Sequence, residues 1–406
     1  MRVTTRMIFA TAVGTMQRQS ASLLHTQQQL ATGRRMLSAA DDPVAAARAL
    51  DVTQARGINA QHLASQDAAR SALAAAEGAL TGAQDVIVSM ETRLVQAGNA
   101  TLSRSDLASI AQEMRSGFEQ LLGIANSTDA SGAYQFSGYQ AGTRPFSGTV
   151  EAGVQYHGDD GIRALQVSGS RELPVGLSGA DAFARIRNGN GAFATSAASA
   201  NTGTGTIDGG SLLAGYDGHR YTLSFAAGAG GLEYSVADFD PVSGTTTPSG
   251  PFAYQAGAPI ALGAGAIEVT VSGTPAAGDT FTVAPSTQVS IFDTLGSAIL
   301  ALESATTDAA GRARLTNSLQ EVRGALSQSL DKVLAARALV GSRLGELDAL
   351  SASGEDLRLQ YEAALSKLQD VDYAEAISRL TQEQTSLEAS QKSFLQVSQL
   401  SLFKFL

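Results

Sequence analysis

Apolar residues recur every three or four positions through both ends of this chain, whereas its middle shows no such spacing. Residues at that spacing share one face of a helix, so both flanks are predicted to be helical. The stripe of the second flank is the longer one, and it resumes after a weakly apolar patch, SASGED, at 351–356. The stripes consist of Val86, Met90 and Leu94; of Leu107, Ile110, Met114, Phe118 and Leu121; and of Leu315, Leu319, Val322, Leu326, Leu330, Val333, Val340, Leu344, Leu347, Tyr361, Leu365 and Leu368.

The last predicted helix keeps a seven-residue register. Apolar residues at this repeat indicate a coiled-coil seam rather than the face of a lone helix. One helix cannot bury a stripe of this length, so we expect the two ends of the chain to pair in one long antiparallel helical bundle. The seam positions are Tyr373, Ile377, Leu380, Leu387 and Phe394, with Gln384 and Gln391 in two further slots.

The middle of the chain is predicted to be β-rich. Of the 42 glycines, 28 lie between Gly132 and Gly278, and eight of the nine prolines lie between Pro145 and Pro285; both residue types break helices and mark turns. Alternating or β-branched runs predict strands at 221–225, 232–236, 266–271 and 279–283, and a turn at 159–161 leads into another. The segments 194–206 and 238–259 are rich in Gly, Ser, Thr and Pro, and we expect loops that contribute little to a core.

These patterns predict an α+β protein with three parts. Residues 1–40 and 374–406 would form a terminal coiled-coil assembly region. Residues 41–145 and 286–373 would form a discontinuous helical domain. Residues 146–285 would form an inserted, β-rich outer domain.

The adjacent acids Asp41 and Asp42 precede Pro43 and an alanine-rich run. Asp at the N-cap accepts backbone N–H bonds, and proline suits the first helical position, where its missing N–H costs nothing. Asp41 adds negative charge at the positive end of the helix dipole. We therefore predict a helix start with Asp42 as N-cap; the alternative, a metal or acid–base pair, has no histidine or second acidic cluster near it in the sequence.

Charge and cysteine content exclude several functions. The chain has 28 basic and 38 acidic residues, a net charge of −10, and no cysteine. Phosphate surfaces select clustered Lys and Arg, so no nucleic-acid or membrane partner is expected. Disulfides and thiolate chemistry are ruled out. The first residues lack the apolar core of a secretory signal, and no run of about 18 apolar residues occurs, so we expect a soluble protein without a cleavable signal. If it leaves the cell, it does so by a route that reads no such signal.

No catalytic or cofactor motif emerges from the sequence. The histidines His25, His62, His157 and His219 are scattered without metal-ligand spacing. The glycine-rich turn at 188–191 lacks the context of a phosphate loop, and no nucleophile elbow occurs. We expect no enzymatic activity, cofactor or metal. A weak calcium site at the 159–160 turn, a secreted enzyme and an adhesin acting through the β-rich part are the remaining alternatives.

Five segments resemble the flagellin superfamily, and more narrowly its hook-associated protein 3 branch, the FlgL-type hook–filament junction proteins. Proline after the paired acids is closer to that branch than to filament flagellin, which is kept as an alternative. The resemblance covers both flanks and is loose in the middle. The segments are TTRMIF (4–9), LATGRRMLSAADDPVAAARAL (30–50), GAYQFSGYQAGTRPF (132–146), GDTFTVAPSTQVSIFDTLGSAI (278–299) and LTQEQTSLEASQKSFLQVSQLSLFKFL (380–406).

The resemblance implies a structural role in the bacterial flagellum. The terminal helices would form the inner tube of the axial structure, and the β-rich insert would project outward. The protein would lie outside the cell between a first hook-associated junction protein and flagellin. Export unfolded through the flagellar type III apparatus is implied, with a chaperone on the apolar C-terminal helix.

The residues themselves point to assembly through the chain ends. Contiguous apolar patches mark interfaces, and burial of each large apolar side chain contributes about 1.5–3 kcal/mol. We expect contacts with other copies, and ends that become ordered on assembly; alternatively, Phe403 and Phe405 pack on the chain's own bundle. The predicted assembly interface comprises Met7, Leu23, Leu24, Leu30, Met36, Leu37, Tyr373, Ile377, Leu380, Leu387, Phe394, Val397, Leu400 and Phe403.

Overall fold

The computed structural model describes residues 5–129 and 132–402, and both flanks of this part of the chain are helical. The predicted helical flanks and β-rich middle are confirmed. Helices α3 and α4 begin at serine N-caps, Ser103 and Ser290, whose side chains accept backbone N–H bonds. The helices are α1 (Thr5–Thr32), α2 (Pro43–Ala97), α3 (Arg104–Ala125), α4 (Ile291–Glu303), α5 (Ala309–Gln369) and α6 (Tyr373–Leu402).

Among the described residues, the β-strands form two larger antiparallel sheets and three two-stranded ones, β1–β2, β3–β4 and β5–β15. The five-stranded sheet has the order β11-β10-β9-β14-β6, and the four-stranded sheet has the order β12-β13-β7, with β8 also on β13. The strands are β1 (Phe146–Thr149), β2 (Gly153–Tyr156), β3 (Ala164–Ser168), β4 (Arg171–Pro174), β5 (Ile186–Arg187), β6 (Phe193–Ala197), β7 (Thr206–Ile207), β8 (Ser211–Leu212), β9 (Arg220–Gly228), β10 (Gly231–Phe239), β11 (Thr246–Ala253), β12 (Pro259–Leu262), β13 (Ile267–Ser272), β14 (Thr280–Pro285) and β15 (Gln288–Val289).

Residue contacts divide the chain into two units. The terminal unit consists of Met1–Ala64 and Ala349–Leu406, and the central unit consists of Ser65–Asp348. Helices α2 and α5 each contribute residues to both units. The three-part division predicted from the sequence has boundaries that differ from those of these two units. It remains a prediction.

In the terminal unit, α1 and α6 pack antiparallel to each other. The ring of Phe9 meets that of Phe394 edge to face, with centroids 5.4 Å apart. At the other end of the pair, Gly33 adopts a left-handed φ of 69° close to the hydroxyl of Tyr373. Pairing of the two chain ends, which the stripes predicted, is therefore present within one molecule.

Helices α2 and α5 approach each other closely at Gly354. A Cβ atom on Gly354 would lie 2.7 Å from the Leu63 side chain, and Asn59 donates its amide N–H to the Gly354 carbonyl oxygen over 2.8 Å. At Gly354, in the weakly apolar patch at 351–356, the Leu63 side chain therefore packs directly on the backbone of α5, and a larger residue there would have to displace Leu63.

The turn before α2 is bound to the turn between α5 and α6. The backbone N–H of Arg35 donates to the Gln369 carbonyl oxygen (2.7 Å), and that of Val371 donates to the Gly33 carbonyl oxygen (3.0 Å). The Arg35 guanidinium also donates to the Leu368 carbonyl oxygen (3.0 Å) and lies 3.6 Å from the Asp42 carboxylate. Arg35 thus joins both turns by its backbone and its side chain.

An aromatic cluster forms the helical core of the central unit. Phe292 of α4 packs edge to face on Phe118 of α3, with centroids 5.8 Å apart, and its ring is tilted against that of Phe146 of β1, with centroids 5.3 Å apart. Phe183 meets Phe146 and Phe136 edge to face. All five rings are buried, so the cluster ties the helices to the first β-strand and the π-helical segment Ala180–Ala184.

The two larger sheets pack face to face over a second core. The predicted strands are confirmed as β9, β10, β13 and β14, and β3 follows the predicted turn. In β9, β13 and β14, buried side chains alternate with more exposed ones. The core comprises Phe193, Ile207, Tyr221, Leu223, Phe225, Val236, Ile260, Leu262, Ile267, Val269, Val271, Phe281 and Val283.

Two loop predictions are wrong. The interval 238–259 contains the edge strand β11, whose residues are all exposed and which pairs with β10 through the backbone; prolines are tolerated on such an edge. The interval 194–206 contains most of β6 and the buried Asn201, which exchanges side-chain hydrogen bonds of 2.9 Å with the backbone of Thr280. Neither segment shows apolar alternation in its sequence. Backbone and side-chain amide hydrogen bonds hold both segments in place instead.

Replacement of Phe292 by Ala should lower the free energy of unfolding of the central unit by about 3–5 kcal/mol, because it opens a cavity beside the three rings that Phe292 contacts, those of Phe118, Phe146 and Phe183. Urea denaturation monitored by circular dichroism measures this loss. Leu300→Ala is the matched control, since Leu300 lies on the same helix but is exposed; it should change the free energy by about 0.5 kcal/mol or less. Equal losses in the two variants would contradict the assigned core.

Replacement of Arg35 by Ala should loosen the turn that precedes α6. The side-chain hydrogen bond and the exposed ion pair together contribute about 1 kcal/mol, so exchange of the Val371 N–H should accelerate about fivefold. Hydrogen exchange of the full chain measures this rate. Arg34→Ala is the control, because Arg34 contacts the turn through its backbone; an equal acceleration there would refute the role of the Arg35 side chain.

Candidate assembly interface

The terminal unit buries very little of its apolar surface. Among its described residues, the buried hydrophobic side chains are three alanines and one leucine: Ala45, Ala49, Leu365 and Ala376. Many larger apolar side chains are exposed to solvent instead. They are Met7, Val13, Leu24, Val44, Leu50, Ile58, Leu357, Leu359, Tyr373, Ile377, Leu395 and Val397.

The structure separates the predicted interface residues into two groups. The first group is only partly exposed, and the second is exposed. Leu400 lies in α6, but its side chain and the whole of Phe403 are outside the described residues. The partly exposed group is Leu23, Leu30, Met36, Leu37, Leu380, Leu387 and Phe394, and the exposed group is Met7, Leu24, Tyr373, Ile377 and Val397.

Helix geometry explains this separation. One neighbouring helix covers only one stripe of α6, and α1 covers the stripe that contains Leu380, Leu387 and Phe394. Ile377 occupies the other heptad position, together with the exposed Gln384 and Gln391, and is 53% exposed. Tyr373 shares the position of Leu380, but it is the first residue of α6 and is 54% exposed. The heptad register therefore divides into a half covered within the chain and an uncovered half.

The contact between α1 and α6 includes polar layers. Ser22 donates its hydroxyl to the Glu383 carboxylate over 2.6 Å, and Gln19 donates its amide N–H to the Ser386 hydroxyl over 3.0 Å. The buried Thr26 adds a further polar position. Because polar layers contribute less hydrophobic stabilisation than Leu or Ile at the same positions, this pair of helices is weakly held on its own.

An apolar groove of about 260 Å³ lies beside the Phe9–Phe394 contact. Ala12 and Met16 line it from α1, and Val397 lines it from α6. The groove continues the exposed apolar surface of the terminal unit, and such continuous apolar surface is typical of protein–protein interfaces.

The paired acids serve the backbone of the turn. Asp42 accepts a hydrogen bond from the Ala45 N–H over 2.9 Å, which is N-cap geometry. Asp41 accepts the N–H groups of Leu37 and Ser38, each over 2.8 Å. These bonds from Ser38 and Leu37 lower the pKa of the Asp41 carboxyl.

The view that no histidine lies near these acids is wrong in three dimensions. The Nε2 atom of His25 is 3.3 Å from an Asp41 oxygen, although 16 positions separate the two residues. Sequence reasoning also missed Arg35, which binds two turns, and Gly354, which permits the close approach of α2 and α5. The glycine followed by two arginines at 33–35 is a local sequence signal that could have indicated this turn.

Within residues 5–129 and 132–402, no group of three or more His, Asp or Glu side chains is arranged to hold a metal ion. No helix within them is both long and apolar enough to cross a membrane.

Comparisons with known proteins agree with the helical organisation and extend over the whole chain. A family model of the bacterial flagellin N-terminal helical region matches residues 3–141. The flagellar hook-associated protein 3 of Escherichia coli (strain K12) is 27% identical over 405 residues, which cover 100% of this chain and 99% of that protein.

Two solved structures of similar proteins also match most of this chain. The flagellar junction protein FlgL from Legionella pneumophila is 30% identical with a TM-score of 0.70, and the match covers 80% of this chain and 100% of that one. FlgL of Xanthomonas campestris is 28% identical with a TM-score of 0.69, covering 78% and 98%.

The resemblance drawn from the sequence is confirmed. The flagellin model covers only the N-terminal part, whereas the hook-associated relative matches from end to end; the junction type is therefore favoured over filament flagellin. This chain belongs to the family of flagellar hook-associated protein 3, the FlgL junction proteins.

Proposed function

We propose that this protein is a structural subunit of the junction between the hook and the flagellin filament, and that its terminal unit is the surface through which it assembles. Membership in a family of structural flagellar proteins supports a role without enzymatic activity. The main support is the small hydrophobic core of the terminal unit. Among its described residues, a single leucine and three alanines are the buried hydrophobic side chains.

The exposed apolar residues supply the driving force for assembly. Burial of each large apolar side chain contributes about 1.5–3 kcal/mol, so a few of them outweigh the entropy lost on association. They lie on α1, α2, α5 and α6, which means that one subunit presents apolar surface in several directions. Contacts of this kind suit heterologous, helically propagating assemblies.

The proposed partners are further copies of this chain, a first hook-associated junction protein on the hook side and flagellin on the distal side. An export chaperone that covers the apolar C-terminal helix is a fourth proposed partner. The location follows from these partners: outside the cell, at the hook–filament junction. The β-rich part of the central unit has its own core, and we assign it to the outward side.

Deletion of the gene in the host bacterium should abolish filament attachment, so that flagellin is released into the medium and motility is lost. Electron microscopy of hooks and immunoblotting of the medium measure both effects. A plasmid copy of the gene should restore filaments. Normal filaments and motility in the deletion strain would overturn the proposal.

Replacement of the exposed Ile377 by Gln tests the interface at one residue. The free subunit should keep its free energy of unfolding within about 0.5 kcal/mol, whereas loss of about 1.5–3 kcal/mol per contact should weaken assembly about tenfold or more. Complementation of the deletion strain and retention of flagellin on the cell body measure the second effect.

Ser378→Gln is the matched control, because Ser378 is the next residue on α6 and is also exposed. This variant should complement fully. If Ile377→Gln complements equally well, the uncovered half of the register does not take part in assembly; if both variants fail, the effect arises from the added side chain and not from lost apolar contact.

A further inference from the structure

A single imidazole lies among three carboxylates at one end of the five-stranded sheet. The Nδ1 atom of His219 is 2.8 Å from Asp238 and 4.0 Å from Asp217, and its Nε2 atom is 3.7 Å from Asp240. The His219 side chain is 27% exposed. These four residues belong to the central unit and are separate from the proposed assembly surface.

The carboxylates come from two different segments. Asp217 belongs to the loop before β9, whereas Asp238 is near the end of β10 and Asp240 begins the turn toward β11. Asp240 also accepts hydrogen bonds from the Val242 N–H (2.7 Å) and the Ser243 hydroxyl (2.7 Å). His219 therefore touches both the loop and the hairpin that forms the exposed edge of the sheet.

The other ionisable groups around His219 do not neutralise this cluster. Tyr221 donates its hydroxyl to Asp217, and Tyr216 donates its hydroxyl to the His219 carbonyl oxygen. Burial raises the pKa of Tyr216 to about 12 and also raises the pKa of Tyr221, so both phenols stay neutral. The guanidinium of Arg220 lies over the ring of Phe239, 5.0 Å from its centroid.

The protonation state of His219 therefore decides the charge balance here. A protonated imidazole carries two N–H donors and one positive charge. It donates a hydrogen bond from Nδ1 to Asp238 and attracts the Asp240 carboxylate, which lies 3.7 Å from Nε2. A neutral imidazole keeps one N–H donor but carries no positive charge. The carboxylates of Asp217, Asp238 and Asp240 then lose the cation that lies among them. Like charges at this distance repel each other, and partial burial limits screening by solvent.

We propose that His219 is a pH-dependent clamp that holds the β10–β11 hairpin to the loop before β9. When protonated, the clamp fixes the turn at 240–245, which carries the 94% exposed Val242. When neutral, the hairpin edge opens more often, while the rest of the sheet stays paired. The outer surface of the protein would then change its dynamics with the pH of the surrounding medium.

The direction of the effect follows from linkage. The hydrogen bond to Asp238, together with the charges of Asp217, Asp238 and Asp240, raises the pKa of His219. A group with a raised pKa in the folded state stabilises fully below its unfolded value of about 6.5 and loses that contribution as the pH rises through the folded value. Protection of the hairpin should therefore fall on the alkaline side of about pH 6.5.

Hydrogen exchange of the full chain from about pH 5.5 to about pH 8.5, corrected for intrinsic rates, tests the clamp. Protection of β11 and of the turn at 240–245 should fall about tenfold for each unit by which the pKa of His219 is raised. In the His219→Gln variant, protection of the same amides should already be low at acid pH and should not change with pH.

His157→Gln is the matched control, since His157 contacts the Ser147 hydroxyl over 2.7 Å on another sheet of the same unit. This variant should keep the wild-type pH dependence at β11. A wild-type hairpin whose corrected protection is independent of pH, or a His157→Gln variant that abolishes the dependence, would overturn the proposal.

A direct titration keeps the test decisive if His219→Gln fails to fold. The chain has only four histidines, so their ring C–H signals can be followed by NMR and assigned with the variants. The signal of His219 should titrate above about 6.5, and Asp238→Asn should move its midpoint down. A midpoint at or below about 6.5 in the wild type would refute the clamp.

Discussion

A pair of helices can cover one stripe on each partner, and the terminal helices of this protein carry more apolar surface than that. In α6, the stripe that includes Leu380 and Leu387 is covered by α1, whereas Tyr373 and Ile377 remain exposed. The contact itself contains polar layers such as Ser22 with Glu383. The free subunit therefore leaves apolar surface on its ends exposed, and burial of that surface is the physical basis of the proposed assembly through those ends.

The central unit differs because it satisfies its own hydrophobic residues. The phenylalanine cluster around Phe292 joins helices to the first strand, and a second core fills the space between the two larger sheets. Buried polar groups there are hydrogen-bonded, as Asn201 is to Thr280. A part of the chain with complete cores is suited to remain folded whether or not the terminal unit is engaged.

The paired acids illustrate how one short motif serves several local needs. Asp42 caps α2, Asp41 accepts two backbone N–H groups of the preceding turn, and Arg35 binds that turn to the segment before α6. Each carboxylate is occupied by backbone donors, so a chemical role for the pair has no support in the geometry. The turn instead fixes where α1 ends and where α2 begins.

The helical flanks, the β-rich middle and most strands could be predicted from the amino-acid sequence, because apolar periodicity and the placement of Gly and Pro are local properties. The sequence could not reveal β11, since an edge strand exposed on both faces has no alternation to show. Nor could it reveal the purpose of Gly354, the approach of His25 to Asp41, or the cluster around His219. These features depend on residues far apart in the chain, which become neighbours through the folding of the whole chain and not through any local pattern. The heptad register shows the same limit. Its positions follow from the spacing of apolar residues along the chain, whereas packing against α1 covers some of these positions and leaves the others exposed.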